Sequence, residues 1–368
     1  MKRLFSTALF CLAAGAITFP LPALAQSAKA RASAVQGSTP YLERNEAMQL
    51  AADIAERRNL PPDWVQATLG QARFVPQVSR LMTPAPRGTA RNWNNYRSRF
   101  IDPVRIRAGV RFWQQHAATL ERAEREYGVP AEIIVGIIGV ETVYGQQMGS
   151  FRVIDALATL SFDFPAAHPR AAARTAYFRG ELEQLLSLTH RSGIDPFSLR
   201  GSYAGAMGLG QFMPSSWVQW AVDFDGDDHI DLFSNPADAI GSVAHYFIAH
   251  GWKPGMPTHY PVSLDTSAEQ LAELLGPDIL PTFTPERMAA LGARVFGEGS
   301  THAGPMALVE LQNGDAAPLF IAGTENFYAI TRYNWSSYYA LSVIELGAEV
   351  RAAREAAQAA QAAQAARR

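Results

Sequence analysis

The chain has 368 residues, 48% of them hydrophobic, and a formal net charge of −2. That length suits one large domain with insertions, or two to three smaller ones. The near balance of charge lacks the basic stripe that a nucleic-acid partner wants, and the basic stretch Arg87–Arg111 reads as a solvated helix and loop.

The N-terminus reads as an address. Lys2 and Arg3 form a charged region, Leu4 to Ile17 is apolar, and Ala23-Leu24-Ala25 gives an A-x-A cleavage site before Gln26. Residues 1–25 are expected to be removed on export to the periplasm. No later stretch reaches the roughly 18 apolar residues of a membrane helix. The single cysteine, Cys11, lies inside the signal segment, and Ala8-Leu9-Phe10 before it is a poor lipidation context. The mature chain is expected to be unlipidated, without a thiol and without disulfides.

In chain order, residues 26–40 read as a flexible leader and Tyr41–Arg58 as an amphipathic helix ended by Leu60-Pro61-Pro62. A short helix over Asp63–Phe74 and a loop at Thr83–Gly88 follow. Asp102 with Pro103 starts a long helix over Val104–Tyr127, stopped at Gly128. The next helix, opened by Pro130, carries Ile133, Ile134, Val135, Ile137, Ile138 and Val140 and is expected to be buried on every face. Further helices are expected at Ala166–Thr189, Ser215–Val222, Pro236–His250 and Ala268–Leu275. Met306–Gln312 and Pro318–Ala322 read as a hairpin around Asn313-Gly314-Asp315. A last helix spans Ser337 to Leu346, before an Ala/Gln low-complexity tail.

These elements predict a mainly α fold. Residues 41–128 form an N-terminal helical domain, and 129–257 with 324–348 a catalytic core. Residues 258–296 read as a helical connection, 297–323 as a small β insertion, and 349–368 as the tail.

Three segments carry chemistry. Glu141 lies at the end of the oily helix, with Ile137 and Ile138 on its face. Burial and the negative end of the helix dipole both favour its protonated form, as a general acid requires. A Glu that reaches solvent or pairs with an arginine is the plain alternative. Asp155, Asp163, Glu181 and Asp195 are the other carboxylates to weigh, and none has a context that marks it. A glycosidase without a second carboxylate needs the substrate to supply that group. The loop Gly201–Gly210 is rich in small residues and leads into Gln211-Phe212-Met213-Pro214-Ser215-Ser216-Trp217.

Asp223, Asp225 and Asp227 then alternate like positions 1, 3 and 5 of an EF-hand loop, with the His229 carbonyl at position 7. Oxygen donors at this spacing suit Ca²⁺ before Mg²⁺. Position 6 is Asp228 rather than Gly, and position 12 is Ser234 rather than Glu. Asp238 is a candidate for the missing carboxylate, or the acid of a capping box begun by Asn235.

Taken together, Val135–Thr142 with Tyr144-Gly145, Gly201–Gly208, Gln211–Ser216, Asp223–Asp231, Ala239–Ala244 and Ile330–Asn334 resemble the lytic murein transglycosylase B family, over roughly Tyr41 to Leu346. The resemblance implies a lysozyme-like core and peptidoglycan as substrate. The bond cleaved would be the β-1,4 link between N-acetylmuramic acid and N-acetylglucosamine, broken without water, with Glu141 as acid and then base. It implies that Tyr96, Ser202, Gln211, Tyr246, Tyr333, Asn334 and Tyr339 line the sugar cleft. It also implies a structural Ca²⁺ on Asp223, Asp225, Asp227, the His229 carbonyl and Asp238, with no organic cofactor. Ser202 closing a turn, and Tyr246 and Tyr339 as plain core, are the alternatives. A muramidase using water, or a noncatalytic glycan-binding scaffold, is the alternative function.

Overall fold

The computed structural model describes residues 40–83 and 91–367. The signal segment with Cys11, the leader to residue 39 and most of the Thr83–Gly88 loop lie outside the described residues.

After a short 3₁₀ turn at Tyr41–Glu43 come helices α1 (Asn45–Arg58), α2 (Pro62–Gly70), α3 (Pro76–Leu81), α4 (Trp93–Arg97), α5 (Pro103–Gln115), α6 (Ala117–Tyr127) and α7 (Ala131–Thr142). Strand β1 (Phe151–Arg152) leads into α8 (Val153–Phe162) and α9 (Ala171–Ser192). Strand β2 (Arg200–Gly201), α10 (Pro214–Trp220) and α11 (Pro236–Ala249) follow. Then come β3 (His259–Leu264), α12 (Ala268–Leu275), α13 (Pro285–Ala290), β4 (Ala293–Val295), β5 (Ala307–Asn313), β6 (Ala316–Gly323), α14 (Glu325–Tyr333) and α15 (Ser337–Ala365).

Helix α7 is the axis of the larger core. Ile133, Ile134, Val135, Ile137 and Ile138 are each buried, so the expectation of an all-round apolar helix holds. It packs against α15 at very short range. A Cβ on Gly136 would lie 2.3 Å from the Val343 carbonyl oxygen, and one on Gly347 would lie 2.1 Å from that of Glu132. Only glycine lets two backbones approach this closely.

Several boundaries differ from expectation. The helix expected over Val104–Tyr127 breaks at His116 (φ −118°, ψ 25°), whose ring folds onto Phe112 at 4.7 Å. Neither glycine nor proline marks that break. Helix α9 starts at Ala171 rather than Ala166 because Pro169 pushes His168 away from helical backbone, leaving a turn closed by Ala171 N to His168 O. Helix α8, missing from the sequence reading, is buried from Val153 to Ser161, so no polar face sets its period.

The stretch 258–296, expected to be a helical connection, contributes strands β3 and β4 to one antiparallel sheet with the hairpin, in the order β4-β3-β6-β5. The hairpin itself falls where expected, with Gly314 at φ 63°. Tyr260, Leu274, Phe283, Met288, Leu291, Val295, Met306 and Leu308 form a second, separate core for this lobe. Helix α15 runs on to Ala365 instead of stopping near Leu346, as the high helix propensity of its Ala/Gln run allows.

Candidate active site

Glu141 sits in the last turn of α7, which ends in two consecutive left-handed residues, Val143 (φ 51°) and Tyr144 (φ 56°). Such a conformation is rare for a β-branched residue. Thr142 ties this end down: its hydroxyl donates to Leu209 O at 2.9 Å and accepts from Gly145 N at 3.0 Å. That clasp joins the Glu141 helix to the small-residue loop.

The Tyr339 hydroxyl, from the first turn of α15, donates to Glu141 Oε1 at 2.5 Å. The residue keeps some surface at the cleft while its carboxyl is enclosed. Burial pushes the Glu141 pKa up to about 7, and the Tyr339 hydrogen bond pulls the other way. Burial also raises Tyr333 and Tyr339 well above the usual phenol range, with the Glu141 charge adding to the effect.

Around this pair stands an aromatic wall. Tyr333 donates to Gly210 O at 2.5 Å and packs on Tyr246 at 4.7 Å between centroids. Tyr246 donates to Arg332 O at 2.6 Å. Tyr96 is half-buried between Phe100 and Tyr338, and burial followed by the Glu141 charge pushes its phenol up to about 12. Gln211 holds a left-handed backbone (φ 52°), and its amide donates to Gly208 O and Met148 O. The carbonyl oxygen of Asn334 is buried without a partner. The Ser202 hydroxyl accepts from Ala204 N and Ala206 N and so closes its own loop. The structure thus gathers Tyr339, Tyr333 and Tyr96 about Glu141, with Tyr246 packed on Tyr333, whereas Ser202 and Gln211 make their protein contacts within the loop region.

The four other carboxylates are engaged elsewhere. Asp155 pairs with Arg152, Asp163 with Arg44 and Tyr41, Glu181 with Ser215, and Asp195 with Phe197 N.

The acidic loop between α10 and α11 brings one carboxylate oxygen from each of Asp223, Asp225 and Asp227 within 4.8 Å of the others. Three like charges at that range repel unless a cation joins them, and an all-oxygen donor set fits a hard ion. His229 is exposed, and its N–H donates to Asp227 Oδ1. Asp238 is tied into the same loop. It is fully buried, and its two oxygens accept from Phe224 N and Asp231 N, both at 2.8 Å. The alternative role, a capping box, is absent, since Asn235 caps Ala237 N alone. Asp238 therefore staples the loop to α11, because its side chain points from the helix start back under the acidic turn.

The family profile described as "Transglycosylase SLT domain" matches residues 43–348. The chain belongs to this transglycosylase family. The transglycosylase is 41% identical over 322 residues to membrane-bound lytic murein transglycosylase B of Escherichia coli K12, an alignment covering 85% of each chain. Its fold is similar to that of the Escherichia coli lytic transglycosylase SLT35 in complex with calcium, at TM-score 0.75 and 41% identity, over 88% of this chain and 97% of that one. It is also similar to SltB3 from Pseudomonas aeruginosa in complex with NAG-anhNAM-pentapeptide, at TM-score 0.66 and 27% identity, over 82% and 79% of the two chains. The mainly helical, lysozyme-like architecture and an enzymatic role on peptidoglycan follow from this membership.

Proposed function

We propose that this transglycosylase cleaves the β-1,4 bond between N-acetylmuramic acid and N-acetylglucosamine and seals the muramyl end as a 1,6-anhydro sugar. The carrying observation is the enclosed Glu141 carboxyl held by Tyr339, with burial pushing its pKa up to about 7. Glu141 donates its proton to the glycosidic oxygen as the C1–O bond breaks. The muramyl acetamido oxygen steadies the charge that develops at C1. The Glu141 carboxylate then takes the proton of the C6 hydroxyl, whose oxygen bonds to C1. Acid and base are one residue, and the proton count returns to its start.

Asp155, Asp163, Glu181 and Asp195 are committed to other partners, so water and the C6 hydroxyl compete for the one Glu141 base. The tethered C6 hydroxyl has a large effective concentration in the right geometry. Tyr96, Tyr246, Tyr333, Tyr339, Gln211, Ser202 and Asn334 are assigned to the sugar subsites. Asn334 contributes its unpartnered carbonyl oxygen. Muropeptides released from purified sacculi are expected to be one water lighter than hydrolytic products and to lack a borohydride-reducible muramic acid. Reducible muramic acid as the main new end would assign the reaction to a muramidase.

Asp223, Asp225, Asp227 and the His229 carbonyl would hold Ca²⁺ as a structural ion, with Asp238 fixing the loop beneath it. The bound ion neutralises the clustered charge and locks α10 to α11. A ligand at about a hundred times its dissociation constant stabilises the fold by about 2.7 kcal/mol. Chelation is expected to lower Tm in the wild type and leave Asp223→Ala unaffected. Identical wild-type melting with and without chelator would exclude the ion. The place of action is assigned to the periplasm, from the A-x-A signal segment and the substrate. Among the described residues no helix is long and apolar enough to cross a membrane.

A further inference from the structure

Glu181, on α9, is a buried carboxylate that this reaction does not use; it is 3% exposed. Its Oε1 accepts from the Ser215 hydroxyl at 2.7 Å and its Oε2 from Ser215 N at 2.9 Å. The Tyr177 phenol also hydrogen-bonds to it. All three donors are neutral. Burying a charge against neutral donors is expensive compared with an apolar residue. A glutamine there has a single acceptor oxygen and two donors of its own, so it cannot replace both carboxylate oxygens.

Both partners lead to the cleft. Ser215 closes the segment that starts at Gln211, within which Phe212 packs on Tyr246 at 5.9 Å and on Tyr333 at 6.0 Å. Burial and then the Glu181 charge raise the Tyr177 phenol well above its usual range, and the neighbouring Tyr246 adds to the shift. Tyr246 and Tyr333 then connect to Gly210 and to the surroundings of Glu141. One carboxylate therefore grips both the loop wall and the tyrosine wall.

We propose that Glu181 is a positioning residue: it clamps the Gln211–Ser215 segment against the Tyr177–Tyr246 wall and so sets glycan affinity without touching the sugar. This rests on the cleft assigned above.

The test is steady-state kinetics of Glu181→Gln and Tyr177→Phe on a soluble peptidoglycan tetrasaccharide, with Tm measured alongside. Binding lost equally from ground and transition states raises KM and leaves kcat alone. Glu181→Gln is expected to raise KM about tenfold with kcat within about twofold of wild type, and Tyr177→Phe to raise KM about threefold. A KM unchanged in both variants, whatever happens to Tm, overturns the proposal. Where Glu181→Gln does not fold, Tyr177→Phe decides by the same criterion, since it removes one hydroxyl only. A wild type that releases no anhydro product overturns the functional reading, and this proposal with it. An active wild type with unchanged variant KM overturns this proposal alone.

Discussion

Glu141→Gln is expected to abolish turnover and, at neutral pH, to make the protein more stable than the wild type. A general acid contributes about 10² to 10⁴ in rate, and one residue acting as both acid and base accounts for at least that much. Stability moves the other way because the fold raises the pKa of this carboxyl from 4.5 to about 7. Below the unfolded value the group is neutral in both states, and a glutamine changes little. As pH rises from about 4.5 through 7, the unfolded chain gives up its proton more readily than the folded one, so wild-type stability falls. Above 7 the difference levels off, on the order of 3 kcal/mol at about 1.4 kcal/mol per unit. The glutamine carbonyl still accepts from Tyr339. Thermal melts at pH 5 and pH 8 should therefore show a small variant advantage at pH 5 and a several-fold larger one at pH 8. An equal Tm difference at both would mean that Glu141 is not held protonated by burial. For the wild type, kcat/KM is expected to fall as pH rises through about 7, since the acid form starts the reaction.

Two glycine-to-alanine changes are expected to have opposite signs. Alanine in a helix interior is favoured over glycine by about 1 kcal/mol. At Gly180 on α9 nothing lies within 4 Å of the added methyl group, so Gly180→Ala gains that amount. At Gly347 the methyl would sit 2.1 Å from a backbone carbonyl of α7. Relief requires the two central helices to part, costing about 3 kcal/mol or more. The clash outweighs the propensity. Urea titrations should move the Gly180→Ala midpoint up and the Gly347→Ala midpoint down. Activity is expected to fall with the second, because α15 carries Tyr339 to Glu141. A Gly347→Ala protein as stable as the wild type would show that the α7–α15 approach tolerates a wider spacing.

What was legible in the sequence was local. Glu141 stands out because its helix is apolar on every face and ends beside it. The hairpin announces itself through Asn313-Gly314-Asp315, and the acidic loop through its alternation. The partner of Glu141 was not legible from residues alone: Tyr339 is 198 positions away, and its place came from resemblance. The capping-box reading of Asp238 failed because position in a helix says nothing about which way a short side chain turns when buried. Strand β3 carries Pro261 in its interior, a residue that argues against a strand. Helix α8 was lost for the opposite reason, since burial on all sides erases the periodicity by which helices are read.

The chain leaves the larger core at Pro257 and re-enters it at Thr324, and these two points touch. Thr324 donates from its hydroxyl to Pro257 O at 2.6 Å and from its backbone to Thr258 O at 3.0 Å. A graft whose ends are sewn together exerts no pull on its host. The lobe reaches back to the helices bearing Tyr96 and Tyr339 in two ways: the Asn313 side chain accepts from Asn94 N and the Gln312 carbonyl from the Tyr338 hydroxyl, and Val309, Leu311 and Ile321 are buried in the larger core. One face of the β5–β6 hairpin is thus shared with the helical core, so the lobe works as a buttress behind the helix that carries Tyr339.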